Sequence, residues 1–566
     1  MNFRPRILAA LIGTAFSIAS ATAHAAGPIQ SITKLWSTPS TGIAGVAGNP
    51  GTLGPDFSSE IGAWDPTTRN IFVSGGVGFE MLSLTGSVLN SFNTTAYGEI
   101  NSIAISDGIA AVAFANTFNK GLAGSVQFFS TAALAGGSGL GGSLLGSATV
   151  GSVPDMVTWT GSGASKSLLV ANEGERQPGG AINAAGSVSM ISFTSTTPNS
   201  FAVGTVDTIG FTAWDGQEAA LRAAGVRIPT GQMTSIALEP EYIAVAPGGL
   251  QAMVTLQENN AVAIIDLVGK QVTEIRSLGL KDYSLPGNAI DPSDQDGGIN
   301  LRNVPVKGLY MPDAIAAYSS GGQTFYVTAN EGDAFTDDAD VGRFSNGAFT
   351  LDPMVFDGVD LPTQAQLKPN SVLGRLNVVR TGATGDGTST NMTEIISLGG
   401  RSFSILNAEG ELVWDSGNDL EQRAIAAGLY ADGRSDDKGV EPEGVTVFSV
   451  AGRSIAAIGL ERTTRSAVAL YDITDPTEPT FAGWADTGLG SPDRRAEGLL
   501  SFEDNGILYL LVTNEGVAGD LAPGDFEILG TTVLYQITPV PEPSTWALMA
   551  GGLLGLGTLA RRRRVR

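Results

Sequence analysis

Pro154-Asp155, an apolar run, and then Asn172-Glu173-Gly174 make up a unit whose two acids stand 18 residues apart, and this unit decides the reading of the chain because it recurs. Pro240-Glu241 is followed by Glu258-Asn259, Pro312-Asp313 by Asn330-Glu331-Gly332, Pro442-Glu443 by Glu461, and Ala496-Glu497 by Asn514-Glu515-Gly516, at offsets of 17, 18, 18 and 18 residues. Two weaker copies lead the series, Glu60 before Gly75-Gly76 and Glu99 before Asn116. Seven copies at a steady internal spacing mark a repeat architecture.

Between the paired acids the residues are β-branched, aliphatic and small, as in 167–171, 324–328, 454–458 and 507–513, and Gly, Asp and Ser turns bound them. Each unit therefore opens with a hairpin of two strands. A third strand follows at 126–129, 188–191, 262–266, 468–472 and 533–536, while helical periodicity is confined to 217–224 and 420–429. Repeats of three or four antiparallel strands predict an all-β chain folded as a seven-bladed β-propeller with long inter-strand insertions, six or eight blades being the alternatives. About 515 mature residues give each blade about 73, against about 40 to 45 in compact propellers. The excess must lie in loops, chiefly between Asp313 and Glu443, where an acidic segment, Asp333 to Asp340, and a hairpin-like stretch at 402–414 occur; the latter is a candidate eighth, partial blade.

Residues 1–25 have the form of a secretory signal peptide, with Arg4 and Arg6, an apolar run over 7–18 and an Ala23-His24-Ala25 cleavage site. His24 is the only histidine and cysteine is absent. Cys/His zinc sites, Ser-His-Asp triads, cysteine nucleophiles and haem attachment are thereby excluded from the mature chain, and no nucleotide cofactor is expected. Residues 26–539 are expected to form the propeller domain.

The tail, 540–566, has three parts: Val540-Pro541-Glu542-Pro543, an apolar stretch at 544–560, and Arg561 to Arg564 with Arg566. Seventeen residues at about 1.5 Å each span about 26 Å, marginal for a bilayer, and the arginines would keep the C-terminus cytoplasmic. In order and composition the tail resembles the PEP-CTERM sorting signal of Gram-negative bacteria. That resemblance implies exosortase-type machinery as a partner, a transient inner-membrane anchor, and a destination in the periplasm, outer envelope or extracellular matrix. Membrane contact is expected only through this helix before processing. Without Arg4, Arg6, the five tail arginines and Glu542, 25 basic and 55 acidic side chains remain, a net charge of about 30 negative. Such a surface repels nucleic acid and anionic membranes and collects cations.

The body of the chain carries a second resemblance. Met311-Pro-Asp-Ala-Ile with Thr328-Ala-Asn-Glu-Gly-Asp333, Arg401-Ser-Phe-Ser-Ile405 with Trp414-Asp-Ser-Gly417, and Glu441-Pro-Glu-Gly-Val445 with Gly459-Leu-Glu-Arg462 resemble the choice-of-anchor I secreted propellers, over most of residues 30–538. Relatives are described as alkaline phosphatase-like, or compared with propeller phytases and a mesenchyme-specific cell-surface glycoprotein. The family pattern places a basic residue soon after Asn-Glu-Gly-Asp; Ala334-Phe335-Thr336 here speaks against a phosphate contact at that spot.

Two strands of about seven residues and a short turn fill about 18 positions, so the paired acids should return to one end of each blade's first hairpin. The first strand of a propeller blade lines the axis. Glu60, Glu99, Asp155, Glu241, Asp313, Glu443 and Glu497 should then ring one mouth of the channel, with Glu173, Glu258, Glu331, Glu461 and Glu515 forming a second ring beside them. Two carboxylates 4 Å apart repel by about 4 kcal/mol at an effective dielectric near 20, so the rings require cations, basic partners or retained protons. The candidate metal ligands are Asp155, Glu173, Glu241, Glu258, Asp313, Glu331, Glu443, Glu461, Glu497 and Glu515, and the oxygen-only set favours Ca²⁺ over Mg²⁺. Acids at strand starts that simply accept backbone N–H bonds are the structural alternative.

Two functions fit. One is a Ca²⁺-dependent phosphoesterase in which Glu331 or Glu443 accepts the proton and Arg462, Arg494 or Arg495 offsets developing charge. The other is a non-enzymatic surface or matrix propeller with structural Ca²⁺. The corresponding ligands are a phosphate ester and an extracellular polysaccharide.

Overall fold

The computed structural model describes residues 27–40, 59–162, 165–176, 183–335, 340–385, 391–516 and 530–541. The expected signal peptide at 1–25, the apolar stretch at 544–560, its arginine cluster and part of the acidic segment, 336–339, lie outside them. Among the described residues no helix is long and apolar enough to cross a membrane.

Among the described residues, seven four-stranded antiparallel sheets follow one another along the chain, each meandering outward from its first strand. Blade 1 comprises Gly62–Asp65, Asn70–Gly75, Gly78–Ser83 and Val88–Asn93, and blade 2 comprises Ile100–Ser106, Ile109–Phe114, Ala123–Ser130 and Leu144–Ser152. Blade 3 takes Pro154–Thr160, Ser167–Asn172, Ser187–Ser195 and Ala202–Gly210; blade 4 takes Pro240–Val245, Gln251–Leu256, Ala261–Asp266 and Gln271–Ser277. Blade 5 is built from Ile315–Ser320, Gln323–Asn330, Ser402–Asn407 and Leu412–Asp415, and blade 6 from Pro442–Val450, Arg453–Leu460, Ala467–Asp472 and Thr480–Asp486. In blade 7, Ala496–Asp504, Ile507–Asn514 and Thr531–Pro539 are completed by Ile29–Pro39 from the other end of the chain. The stretch at 402–414 is therefore the outer half of blade 5 and not an eighth blade; a long insertion separates it from its own inner hairpin.

First strands of successive blades lie against one another round the ring, blade 7 meeting blade 1. Among the described residues the core is divided. Apolar clusters lie as slabs between consecutive blades, as between blades 3 and 4 (Leu169, Val188, Val254, Ile265) and between blades 7 and 1 (Leu511, Leu534, Ile71, Val73). A middle strand is covered on both faces by neighbouring blades, which is why Ser167–Asn172 is buried throughout and reads as a continuous apolar run instead of an alternating one. Pairing of Ile29–Pro39 with Thr531–Pro539 locks the ring by backbone hydrogen bonds and leaves no gap between first and last blades.

The insertion at blades 4 and 5 forms a unit of its own. Leu280–Asp282, Lys307–Leu309, Ile396–Ser397, Asn377–Val379 and Val341–Arg343 make a five-stranded sheet over a core including Tyr283, Phe344, Phe349 and Leu373. It joins the neighbouring loops through Asn377 to Asp437 (2.9 Å) and Arg343 to Asp436 (2.9 Å). The helices are short, Glu218–Ala223 and Asp419–Ala426 falling where the periodicity placed them.

Candidate carboxylate site at the channel mouth

Blades 3, 6 and 7 build their acidic pairs by one local device, parts of which recur in blades 4 and 5. The residue two before the leading acid adopts a left-handed backbone in four blades: Val153 (φ 45°), Met311 (50°), Glu441 (49°) and Arg495 (59°). This conformation is costly for a side-chain-bearing residue, most of all a β-branched one. A bond across the hairpin holds it. The N–H of Glu173 donates to Val153 O (2.9 Å), that of Glu461 to Glu441 O (2.9 Å), and that of Glu515 to Arg495 O (3.1 Å), so the trailing glutamate is tied directly to the lead-in of the leading acid. A register shift immediately follows: pairing jumps between Pro154 and Met156, Pro240 and Ile243, Pro442 and Val445, and Ala496 and Leu499, leaving the acid in a bulge. Bulges re-aim side chains, and here they release the leading acid from the ladder toward the axis.

The rest of the motif is structural. Buried Asn172 donates to Ser187 Oγ (3.3 Å) and Ser189 Oγ (3.0 Å), Asn330 to Ser402 Oγ (3.1 Å) and Ser404 Oγ (2.8 Å), and Asn514 to Thr531 Oγ1 (3.1 Å). Each asparagine therefore pins the second strand to the third and fixes the glutamate beside it. At Gly332 (φ 91°) a Cβ would come within 2.3 Å of the Gly399 backbone, so the glycine answers a close approach inside the blade.

These devices place Glu60, Glu99, Asp155, Glu173, Glu241, Asp313, Glu497 and Glu515 around one cavity of about 350 Å³. Two groups draw together tightly enough for one ion. Asp155, Glu173 and Glu241 form the first, and Glu331, Glu443 and Glu461 the second; in each, one oxygen per residue lies within 4.8 Å of the others. Ligands about 2.4 Å from a Ca²⁺ stand up to about 4.8 Å apart, so both spacings fit. Glu258 adjoins the first group, and Asp313 and Glu497 stand between the two around the ring.

The electrostatics record this crowding. Burial, then Glu175, pushes the Asp155 carboxyl up to about 7. Burial, then Asp155 and Glu258, raises Glu173 well above its ordinary range, and burial with Glu173 and Glu258 does the same to Glu241. Glu258, Asp313, Glu443 and Glu497 are likewise raised, by burial first and then by neighbouring carboxylates. Burial and Glu331 carry Glu461 to about 7, against the pull of Arg462.

Several groups the motif did not flag complete the site. Lys438 reaches Glu331 Oε1 (2.5 Å) and Glu441 Oε2 (3.3 Å); burial alone would lower its ammonium, but those two acids hold it well above its ordinary value. Glu441 also pairs with Arg434 (2.7 Å), and Gln257 donates to Glu331 Oε2 (3.0 Å). Glu239, the counterpart of Glu441 in blade 4, is raised by burial to about 8. Tyr242 lines the same cavity; burial, and then the acids Asp313, Asp155, Glu497 and Glu443, keep its phenol protonated. Glu239-Pro-Glu241 and Glu441-Pro-Glu443 repeat visibly in the sequence and could have revealed the additional acids. Nothing local announces Lys438.

The arginines divide. Arg462 pairs with Glu461 (2.8 Å), and Arg495 lies near Glu515 (3.3 Å) and Glu461 (3.9 Å). Arg494 instead donates to the carbonyls of Ser491 (2.6 Å) and Asp493 (2.9 Å), held by its own loop. Glu99 pairs with Lys120 (2.9 Å).

A ring of blades with a carboxylate-lined mouth and an export tail defines an exported β-propeller. The choice-of-anchor I domain model matches residues 60–476, and the chain belongs to that family. The PEP-CTERM protein-sorting motif matches residues 539–564, marking the protein as one sorted to the cell envelope and recognised by exosortase machinery. Among curated proteins none matches the chain in sequence. Solved structures similar to it include the β-propeller domain of Myceliophteria thermophila Cps50 (Swd1), at 7% identity and TM-score 0.39, covering 85% of this chain and 97% of that one. Kuenenia stuttgartiensis hydrazine synthase is similar at 11% identity and TM-score 0.40, covering 83% and 95%, and the Dos1 propeller at 8% and 0.39, covering 89% and 95%.

Proposed function

We propose that this exported propeller binds a divalent cation, Ca²⁺ by the chemistry of its donors, at the acidic mouth of the channel, and that it serves at the envelope as a cation-dependent binding module for extracellular polysaccharide. The observation that carries the reading is the convergence of Asp155, Glu173 and Glu241 within 4.8 Å, with no basic group paired to any of them among the described residues. Carboxylates so placed repel one another by several kcal/mol, and a divalent ion removes that repulsion while meeting its own need for oxygen ligands. Thermal unfolding with millimolar CaCl₂ and with EDTA tests it: calcium raises the melting temperature, and an unchanged curve rejects the reading.

Phosphoester hydrolysis is the second reading, favoured by Arg462 and Arg495 beside Glu461, with Glu331 or Glu443 within reach as base. It is the weaker of the two. Both guanidinium groups are engaged by carboxylates and Arg494 by loop carbonyls, so a phosphate must displace existing partners. Turnover of p-nitrophenyl phosphate that appears with Ca²⁺ and is lost in Arg462→Gln would establish it; no turnover leaves the binding module.

A further inference from the structure

We propose that the cation is taken at one off-axis position only, the Asp155, Glu173 and Glu241 group of blades 3 and 4 with Glu258 as a further ligand, because the matching group of blades 5 and 6 is already closed by the chain's own Lys438. This inference rests on the cation-binding reading above and specifies where and how many ions bind.

The two groups differ in what their oxygens already hold. In the second, Glu331 receives the Lys438 ammonium on one oxygen (2.5 Å) and the Gln257 amide on the other (3.0 Å). Glu461 is paired with Arg462 (2.8 Å), and Glu441 behind them is shared by Arg434 (2.7 Å) and Lys438 (3.3 Å); Glu443 alone of the three keeps a buried oxygen, Oε2, without a hydrogen-bond partner, so two of the group's three acids are already engaged. A tethered ammonium placed this way supplies a positive charge and several donors to the acids a metal would otherwise bridge. Adding a divalent ion there requires expelling a lysine whose side chain is only 12% exposed and paired twice.

In the first group, none of Asp155, Glu173, Glu241 and Glu258 makes an ion pair or accepts a side-chain hydrogen bond among the described residues. Glu258 supplies an independent sign of a ligand: the residue is 6% exposed, its Oε2 has no hydrogen-bond partner, and it acts on both Glu173 and Glu241. Buried carboxylate oxygens in native proteins are satisfied by a protein donor, water or an ion. The one lysine lining this cavity, Lys120, is paired with Glu99. Asp155, Glu173 and Glu241, from two adjacent blades, open to a cavity of about 350 Å³ that admits water, and with buried Glu258 beside them they form the donor set of a hard, oxygen-seeking cation.

Calorimetric titration of the exported chain with CaCl₂ tests the assignment. One ion per chain is expected; Glu241→Gln should weaken binding at least about tenfold, Glu443→Gln should leave it unchanged, and Lys438→Met should raise the stoichiometry to two. Two ions in the native chain, or binding lost in Glu443→Gln and kept in Glu241→Gln, overturns the assignment while the cation reading stands. No binding in any form overturns the cation reading itself. Should Lys438→Met fail to fold by circular dichroism, the opposed Glu241→Gln and Glu443→Gln variants still decide.

Discussion

Glu239-Pro240-Glu241 in blade 4 and Glu441-Pro442-Glu443 in blade 6 are the same tripeptide at equivalent positions of the repeat, and their surroundings differ. In blade 6 the first glutamate is held by Arg434 and Lys438, and the trailing Glu461 by Arg462. In blade 4 burial drives Glu239 to about 8 and raises Glu241 and Glu258 well beyond their usual range, with no basic side chain paired to Glu241 or Glu258 among the described residues. The repeat thus delivers carboxylates to both places, and the loops between blades decide what neutralises them. A repeated motif specifies position; its chemistry depends on the non-repeated chain around it.

The largest test of this contrast removes the internal cation. Lys438→Met leaves Glu331 and Glu441 without their shared partner, and breaking a buried pair costs about 3–5 kcal/mol. In EDTA the variant should melt well below the native chain, and CaCl₂ should restore much of the loss. A melting temperature unmoved in EDTA would mean that the lysine neutralises nothing.

Calcium itself comes next. A ligand at a hundredfold excess over Kd stabilises the folded state by about 2.7 kcal/mol. Differential scanning calorimetry should show this gain in the native chain and in Glu443→Gln, and show it largely lost in Glu241→Gln. Equal loss in both variants would erase the distinction between the blades.

The pH dependence sharpens the comparison further. Asp155, with a folded value of about 7, and Glu239, with about 8, keep their protons at pH values where the unfolded chain, titrating near 4, has lost them. Their contribution to stability is therefore fully present below about pH 4 and falls as pH rises toward 7 to 8. Metal-free protein should lose stability across that window, and saturating Ca²⁺ should flatten the slope. Glu80 in blade 1, buried opposite Ser91 and raised by burial to about 8, adds a slope unrelated to the rings. Glu80→Gln should stabilise by roughly 1–3 kcal/mol at pH 8 and by nothing at pH 4, leaving the calcium response intact. The smallest effect belongs to Asp352→Asn in the insertion, whose side chain caps Met354 N (2.8 Å); the melting temperature should change by no more than about 0.5 kcal/mol of stability implies.

Much of this was legible because it was periodic. The steady offset from Asp155 to Glu173 and from Glu443 to Glu461 disclosed a hairpin whose ends meet, and the third-strand signatures made each unit a sheet. The restriction of candidate ligands to oxygen followed from the absence of cysteine and from a single histidine, His24, in the expected signal peptide. The hairpin pattern at 402–414 left an eighth blade open as an alternative, because a long insertion parts the two halves of blade 5 and only the fold shows which hairpin it completes. Ile29–Pro39 lacks the acid motif, and its place as the last strand of blade 7 depends on a partner about 500 residues away.

What the sequence by itself determined is the repeat: strands of a given length, turns at given places, and paired carboxylates returned to one end of the hairpin in five of the copies, since the chain's extension per residue dictates where 18 residues lead. Tertiary structure alone decided the closure of the ring, the place of Tyr242 in the wall of the acidic cavity, and the contrast between the Glu331, Glu443 and Glu461 group, answered by Lys438, and the Asp155, Glu173 and Glu241 group, which has no ion-pair partner among the described residues. Those outcomes depend on distances between residues far apart along the chain. Electrostatic energy follows such distances and the burial around them, and neither is encoded in local spacing.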